Sequence, residues 1–254
     1  MRERTRRDAL IGSTRRSGTM IAITFALPAE SADFRRLLTG RRDVVSNGVK
    51  AIHGQRHGKT IALLHTGVGQ TACEERIGAF LRAQPLSCLI SGGLAGGLSN
   101  NLSVGQLLVA ENFADRNFLA TTRKLLTKHH AQFGTLHTAP TMVDKARERA
   151  ALAVETGAVA VDMETEFIAR ECATLGIPLL SLRAISDTPL QPFPVPPRVL
   201  FDQVRQKTPL ASLVFYLTRH PISAIRMIGF LQRISHARRA MTAALDDLLD
   251  SDLL

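Results

Sequence analysis

The sequence predicts an α/β protein built in three layers, a sheet buried on both faces between helices, with a helical tail behind it. Three observations predict this. Apolar runs of four to seven residues alternate with amphipathic stretches, the pattern of a sheet covered on both sides. At 254 residues, 45% hydrophobic and 21% charged, the chain is composed like a globular protein and long enough to bury a sizeable core. Past residue 190 the alternation stops at a proline cluster, and only helical periodicity follows.

Residues 1–19 carry six arginines against Glu3 and Asp8. They read as a disordered basic tail, or as sequence ahead of a true start at Met20. An Arg-rich start before an apolar octet also imitates a signal peptide, but residues 20–27 read better as a first buried strand. A helix follows at 30–38, then two strands at 43–56 and 59–65 joined at His57-Gly58. Residues 71–83 form a helix stopped by Gln84-Pro85, and 87–91 a strand running into Gly92-Gly93-Leu94-Ala95-Gly96-Gly97, which reads as a turn. Strands at 106–110 and 134–137, a helix at 146–155, a strand at 158–161, a helix at 164–175 and a strand at 179–185 complete a domain over 20–190.

Four prolines in 191–197 make an extended connector, and 198–254 is a helical basic tail. There Ile222, Ile225, Ile228, Leu231, Ile234, Ala237, Met241, Leu245 and Leu248 recur every three or four residues, predicting one apolar helix face. Arg226, Arg233, Arg238 and Arg239 decorate the same segment. Two readings stand: a helix packed on the core with a solvated basic face, or an interfacial helix that binds anionic lipid.

The net charge of +10 sits at the two ends, with eight Lys/Arg against Asp202 in residues 198–242. Such basicity attracts nucleic acid or anionic lipid. Aromatics at 5%, with no Trp and one Tyr, are poor material for stacking on bases, which argues against nucleic acid. No apolar run approaches the ~18–20 residues that span a bilayer. Cys73, Cys88 and Cys172 are widely spaced in apolar context, so they read as buried thiols of a reducing compartment rather than metal ligands.

Three carboxylates sit where strands give way to the next element: Glu30, Glu164 beside Asp162, and Asp187. In an α/β sheet the carboxyl ends of strands are where ligands bind. Each acid has an ordinary explanation as a helix N-terminal or capping residue, and it is their convergence on one sheet edge that points to function. The glycine turns 66–69 and 92–97 would let the N–H groups of Gly67, Gly69 and Gly93 approach an oxygen-rich ligand. Neither has the spacing of a dinucleotide fingerprint. Carboxylates beside Met163 and Arg183 suit breaking a sugar–base bond better than redox or acyl chemistry.

The series Ala26-Leu27-Pro28-Ala29-Glu30, Thr66-Gly67-Val68-Gly69, Gly93-Leu94-Ala95-Gly96-Gly97-Leu98 with Val104-Gly105-Gln106, Val161-Asp162-Met163-Glu164, and Arg183-Ala184-Ile185-Ser186-Asp187 resembles the nucleoside phosphorylase family. The likeness is nearest to the methylthioadenosine/S-adenosylhomocysteine nucleosidases. It implies a phosphorylase/hydrolase-like fold with a central mixed sheet, assembled as a homo-oligomer, without metal or cofactor. By the same resemblance Glu30 activates the attacking water, which Arg183 and Thr66 help hold. Glu164 receives the ribose hydroxyls and Met163 lies against the sugar. Asp187 is the acid at purine N7, and Met142 and Val143 line the base pocket.

Pro28 and Ala29 stand where the nucleosidases carry further acids, and the first loop lacks the glycine and arginine with which phosphorylases hold phosphate. This favours water as acceptor, with phosphate retained as a co-substrate to test. The connector, Arg219-His220-Pro221 and the Arg/Leu/Ile helix resemble the hopanoid-associated branch, which implies release of adenine from adenosylhopane. The alternative is a soluble methylthioadenosine-type nucleosidase or a phosphate-using purine nucleoside phosphorylase. The reading is of a cytoplasmic enzyme that touches the inner face of the membrane through its basic tail.

Overall fold

The computed structural model describes residues 20–99 and 101–253; the basic segment 1–19 lies outside the described residues. Ten strands form one mixed sheet. They are β1 (Met20–Phe25), β2 (Thr39–Ser46), β3 (Val49–Arg56), β4 (Lys59–His65), β5 (Leu86–Gly97), β6 (Leu107–Ala110), β7 (Gln132–Gly134), β8 (Leu136–Thr138), β9 (Ala160–Asp162) and β10 (Leu179–Asp187). The spatial order is β2-β3-β4-β1-β5-β10-β6-β7, with β9 joining β5 to β8. Its centre, β4-β1-β5-β10, is parallel throughout. Those strands are apolar on both sides because helices cover both faces. β10 is buried at every position.

One face packs α2 (Gln70–Arg82) and α5 (Thr165–Leu175), whose Ile77, Phe80, Ile168 and Cys172 meet Ala22, Ala62 and Leu64. The other face packs the short α1 (Ala32–Leu37), α3 (Arg116–Leu126) and the second half of the tail helix α8 (Pro221–Asp250). The other helices are α4 (Ala146–Thr156), α6 (Pro197–Leu200) and α7 (Leu210–Arg219), with α7 packed on α6 and α8. Cys73, Cys88 and Cys172 are buried free thiols. No helix among the described residues is long and apolar enough to cross a membrane.

Four sequence expectations are corrected. Residues 43–56 are not one strand: Asn47 and Gly48, with φ of 50° and 76°, turn a hairpin between β2 and β3. Residues 134–137 divide between β7 and β8, and α3, capped by the Asp115 side chain on the Asn117 N–H, was not expected. Gly92–Gly97 is not a turn but the second half of β5. Its glycines thin the strand: a Cβ at Gly92 would press on the Phe25 ring at 3.1 Å.

The fourth concerns the tail. Ala237, Met241, Leu245 and Leu248 are buried as expected, but Ile222, Ile225, Ile228 and Leu231 are exposed and Met227 and Phe230 take the inner face. A step of three falls about 60° short of a full turn, so successive steps of three walk around the helix. The last turns of α8 are tied down by a two-pronged Arg56–Asp246 pair at 2.6 and 2.7 Å and by His57 on the same carboxylate.

Candidate active site

The carboxyl ends of β1, β4 and β10 deliver the expected residues to one edge. Beyond β1 the chain folds back so that Glu30 Oε2 accepts the N–H groups of Ala26 and Leu27 at 3.0 and 3.3 Å. Burial nevertheless pushes this carboxyl up to about 7, against those donors and the Arg183 charge. A carboxylate balanced near neutrality suits a general base.

Arg183, on β10, is buried with its N–H groups directed at Ser91 O and Oγ, Leu182 O, Asp162 and Thr165 Oγ1. Asp162 also accepts Thr138 Oγ1 at 2.8 Å and Thr165. Every one of these N–H groups has an acceptor within the protein, and the Arg183 charge pulls the Glu30 carboxyl down. Beside it a chamber of about 10 Å³ is bounded by Glu30, Thr66, Ser91, Glu164 and Arg183. That is room for a single water. Thr66 turns its hydroxyl to the carbonyls of Phe25 and Gly67, at 3.4 and 3.1 Å.

Glu164 opens α5, and its Oε1 accepts the Gly69 N–H at 2.7 Å. Burial first, then repulsion from Asp162, pushes it up to about 8. The glycine turn of 66–69 is real, with φ of 83° at Gly67 and 85° at Gly69, yet its N–H groups serve the protein. Gly67 donates to Ala26 O at 3.0 Å and Gly69 to Glu164. The reading of Gly67 and Gly69 as ligand-facing donors is therefore corrected. Gly93 lies inside β5 rather than in a turn, and it borders the small chamber beside Glu30 and Arg183.

Asp187, at the end of β10, is 1% exposed and holds a partner that sequence reasoning missed. Arg149 of α4, fully buried, forms an ion pair with Asp187 Oδ2 and donates to Gly97 O at 2.9 Å. Ser186 donates to the other oxygen at 2.5 Å. Burial pushes Asp187 above the ordinary carboxylate range, while Arg149 and Ser186 pull it back. Gly96 leaves space for the pair, since a Cβ there would stand 3.2 Å from Asp187 and 3.3 Å from Arg149. Nothing in Ala146-Arg147-Glu148-Arg149 tells the buried arginine from the exposed one.

These groups share a cavity of about 330 Å³. Glu30, Asp162, Met163, Glu164 and Asp187 line it together with Met142, Val143 and Arg149. One further wall was not foreseen: Phe193, Leu200, Phe201, Phe230, Ile234 and Arg238 reach the cavity from the connector and tail. They are backed by an apolar cluster with Val195 and Met227, and Phe193 meets Phe230 edge-on at 5.7 Å. Gln206 closes the rim by bonding the Val68 N–H and carbonyl at 2.7 and 2.8 Å.

Buried carboxylates around a cleft at the carboxyl edge of a parallel sheet define an α/β enzyme site. A sequence profile of the Phosphorylase superfamily matches residues 20–153 and 115–208, and the chain belongs to that family. It is 24% identical over 195 residues to the 5′-methylthioadenosine/S-adenosylhomocysteine nucleosidase of Haemophilus influenzae (strain 86-028NP), spanning 66% of this chain and 85% of that protein. The S-adenosylhomocysteine nucleosidase of Streptococcus pyogenes in complex with 5-methylthiotubericidin has the same fold. Its TM-score is 0.70 at 18% identity, over 92% of this chain and 98% of the other. The native futalosine hydrolase of Helicobacter pylori strain 26695 matches with a TM-score of 0.70 at 17% identity, over 91% and 97%.

Proposed function

We propose that the protein hydrolyses the N-glycosidic bond of an adenine nucleoside whose 5′ substituent is apolar, releasing adenine. The observation that carries this reading is the shared cavity: four carboxylates, Glu30, Asp162, Glu164 and Asp187, and an extra apolar wall built by the tail. The curated relatives named nucleosidases support the bond that is cleaved. The tail wall supports the apolar substituent, and adenosylhopane is the specific substrate we assign.

The chemistry follows from where charge develops. As the base leaves, positive charge grows on the sugar and negative charge on the purine. Asp187, set by Arg149 and Ser186, delivers or shares a proton at N7. Glu164 receives the ribose hydroxyls beside Met163, stabilising the cationic sugar. A water in the small chamber attacks C1′ and loses its proton to Glu30, whose affinity near 7 matches that task. Met142 and Val143 pack on the base. Arg183 sets the field around Glu30, and Thr66 borders the water. The reading includes a homo-oligomer, measured as native mass, and phosphate as a co-substrate only in the phosphorylase alternative.

The test is adenine release from 5′-methylthioadenosine and from an adenosine with a long hydrocarbon 5′ group, each with and without phosphate. The proposal expects phosphate-independent release and preference for the long group. A phosphate requirement overturns the water assignment, and preference for methylthioadenosine overturns the substrate.

A further inference from the structure

The tail carries a second surface that the cavity does not use. On α7, Val214 and Phe215 are exposed, and on the first turns of α8 so are Ile222, Ile225, Ile228 and Leu231, each more than half exposed. Met227, Phe230 and Ile234 take the opposite side of α8 and seal the cavity wall. The helix is therefore apolar inside and out over this stretch, and the outer side has no covering element among the described residues. Large contiguous apolar surface of this kind marks an interaction site.

Charge selects the partner. From residue 203 to 245 the chain has seven Lys/Arg and no Asp or Glu. Only Arg205 and Arg238 form ion pairs among the described residues, with Asp202 and Asp33. Arg219 lies over the Phe215 ring at 4.2 Å, and Arg226 and Arg239 are exposed on α8. Pairing this face with a second copy would set like charges against each other. A surface of anionic headgroups over hydrocarbon answers both the arginines and the isoleucines.

We propose that the α7–α8 hairpin docks on the surface of an anionic lipid bilayer, inserting Phe215, Ile225 and Ile228 below the headgroups with Ile222 and Leu231 at the two flanks of the face. The docking face and the cavity wall are then two sides of the same helical turns, so an apolar substituent enters the site from the bilayer side. The docking rests on this surface alone, and its readout is independent of the reaction proposed above.

The experiment is co-sedimentation of the full chain with phosphatidylglycerol/phosphatidylcholine vesicles and with pure phosphatidylcholine vesicles. It is run for the wild type, for Ile225→Ser/Ile228→Ser/Leu231→Ser and for Arg219→Gln/Arg226→Gln. Binding to the anionic vesicles is expected to weaken about tenfold or more in either variant and to fall with salt. Far-UV circular dichroism and Tm should match the wild type, which shows that the variants are folded. No wild-type binding, equal binding to both vesicles, or variants that bind as the wild type each overturn the proposal. So does a native mass that halves in the serine variant, which would give the face to a second copy.

Discussion

Arg149→Met cuts the buried charge pair that holds Asp187 in the candidate site. In the wild type Asp187 is 1% exposed and is bonded by Arg149 and Ser186. The substitution leaves the carboxylate with Ser186 alone and strips Gly97 O of its 2.9 Å donor. Removing one partner of a buried pair costs about 3–5 kcal/mol, and a lost hydrogen bond adds about 1. For a chain of this size that corresponds to a drop on the order of 10 °C in Tm. Without Arg149 the carboxyl escapes the cost by taking a proton, because burial already pushes it upward. The deficit should therefore be largest at pH 8 and shrink towards pH 5. Arg149→Met/Asp187→Asn, which removes both charges, should recover about half of it, with the coupling read from urea unfolding of all four proteins. A cost under about 1 kcal/mol at pH 8, or additive single effects, would refute the argument that the pair acts as a unit.

Glu30→Gln is expected to lower kcat by about 10²–10⁴-fold. In the wild type kcat/KM should fall as the pH drops below about 7, where Glu30 takes a proton, and the variant's residual rate should lose that limb. The same raised affinity makes folding less favourable as the pH rises from 4.5 to 7, so Glu30→Gln should melt higher than the wild type at pH 8, by at most about 3 kcal/mol. Glu164→Gln should slow ribonucleosides far more than 2′-deoxy analogues, measured as a ratio of kcat/KM. Phe230→Ala should cost about tenfold on a long hydrocarbon 5′ group and little on methylthioadenosine, since Phe230 belongs to the tail wall. Leu245→Ala, at a fully buried position, should destabilise by about 2–5 kcal/mol in urea while leaving KM unchanged.

Where the sequence pattern and a local rule coincide, the reading is close to the structure. β1, β4, β10, α2 and α5 lie within two residues at each end of their expected spans, because continuous apolar runs and helix stops were both present. The Asn47-Gly48 hairpin was legible too, since that dipeptide is a strong turn signal, but it was read through as strand. Gly92–Gly97 was not legible: six residues with four glycines look like a turn until Phe25 and the Arg149–Asp187 pair are seen to need the space. Glu30, Thr66, Met163, Glu164 and Asp187 come to one edge because each sits at the end or start of an element around the parallel strands, and Arg183 reaches it from the middle of β10. Arg149 and the tail wall were hidden for a different reason. Their roles depend on contacts across roughly 40 to 200 residues of chain, which no periodicity encodes. The tail pattern misled because a count of three-residue steps ignores the rotation that accumulates between them.

The central claim is that water from the Glu30 chamber attacks C1′ while adenine leaves. The most direct measurement is a single turnover in ¹⁸O-water with phosphate present, reading adenine by absorbance and the sugar by mass. The account predicts one ¹⁸O atom at C1′ of a free reducing sugar, formed together with adenine. A sugar 1-phosphate without label, or no adenine at all, would contradict it.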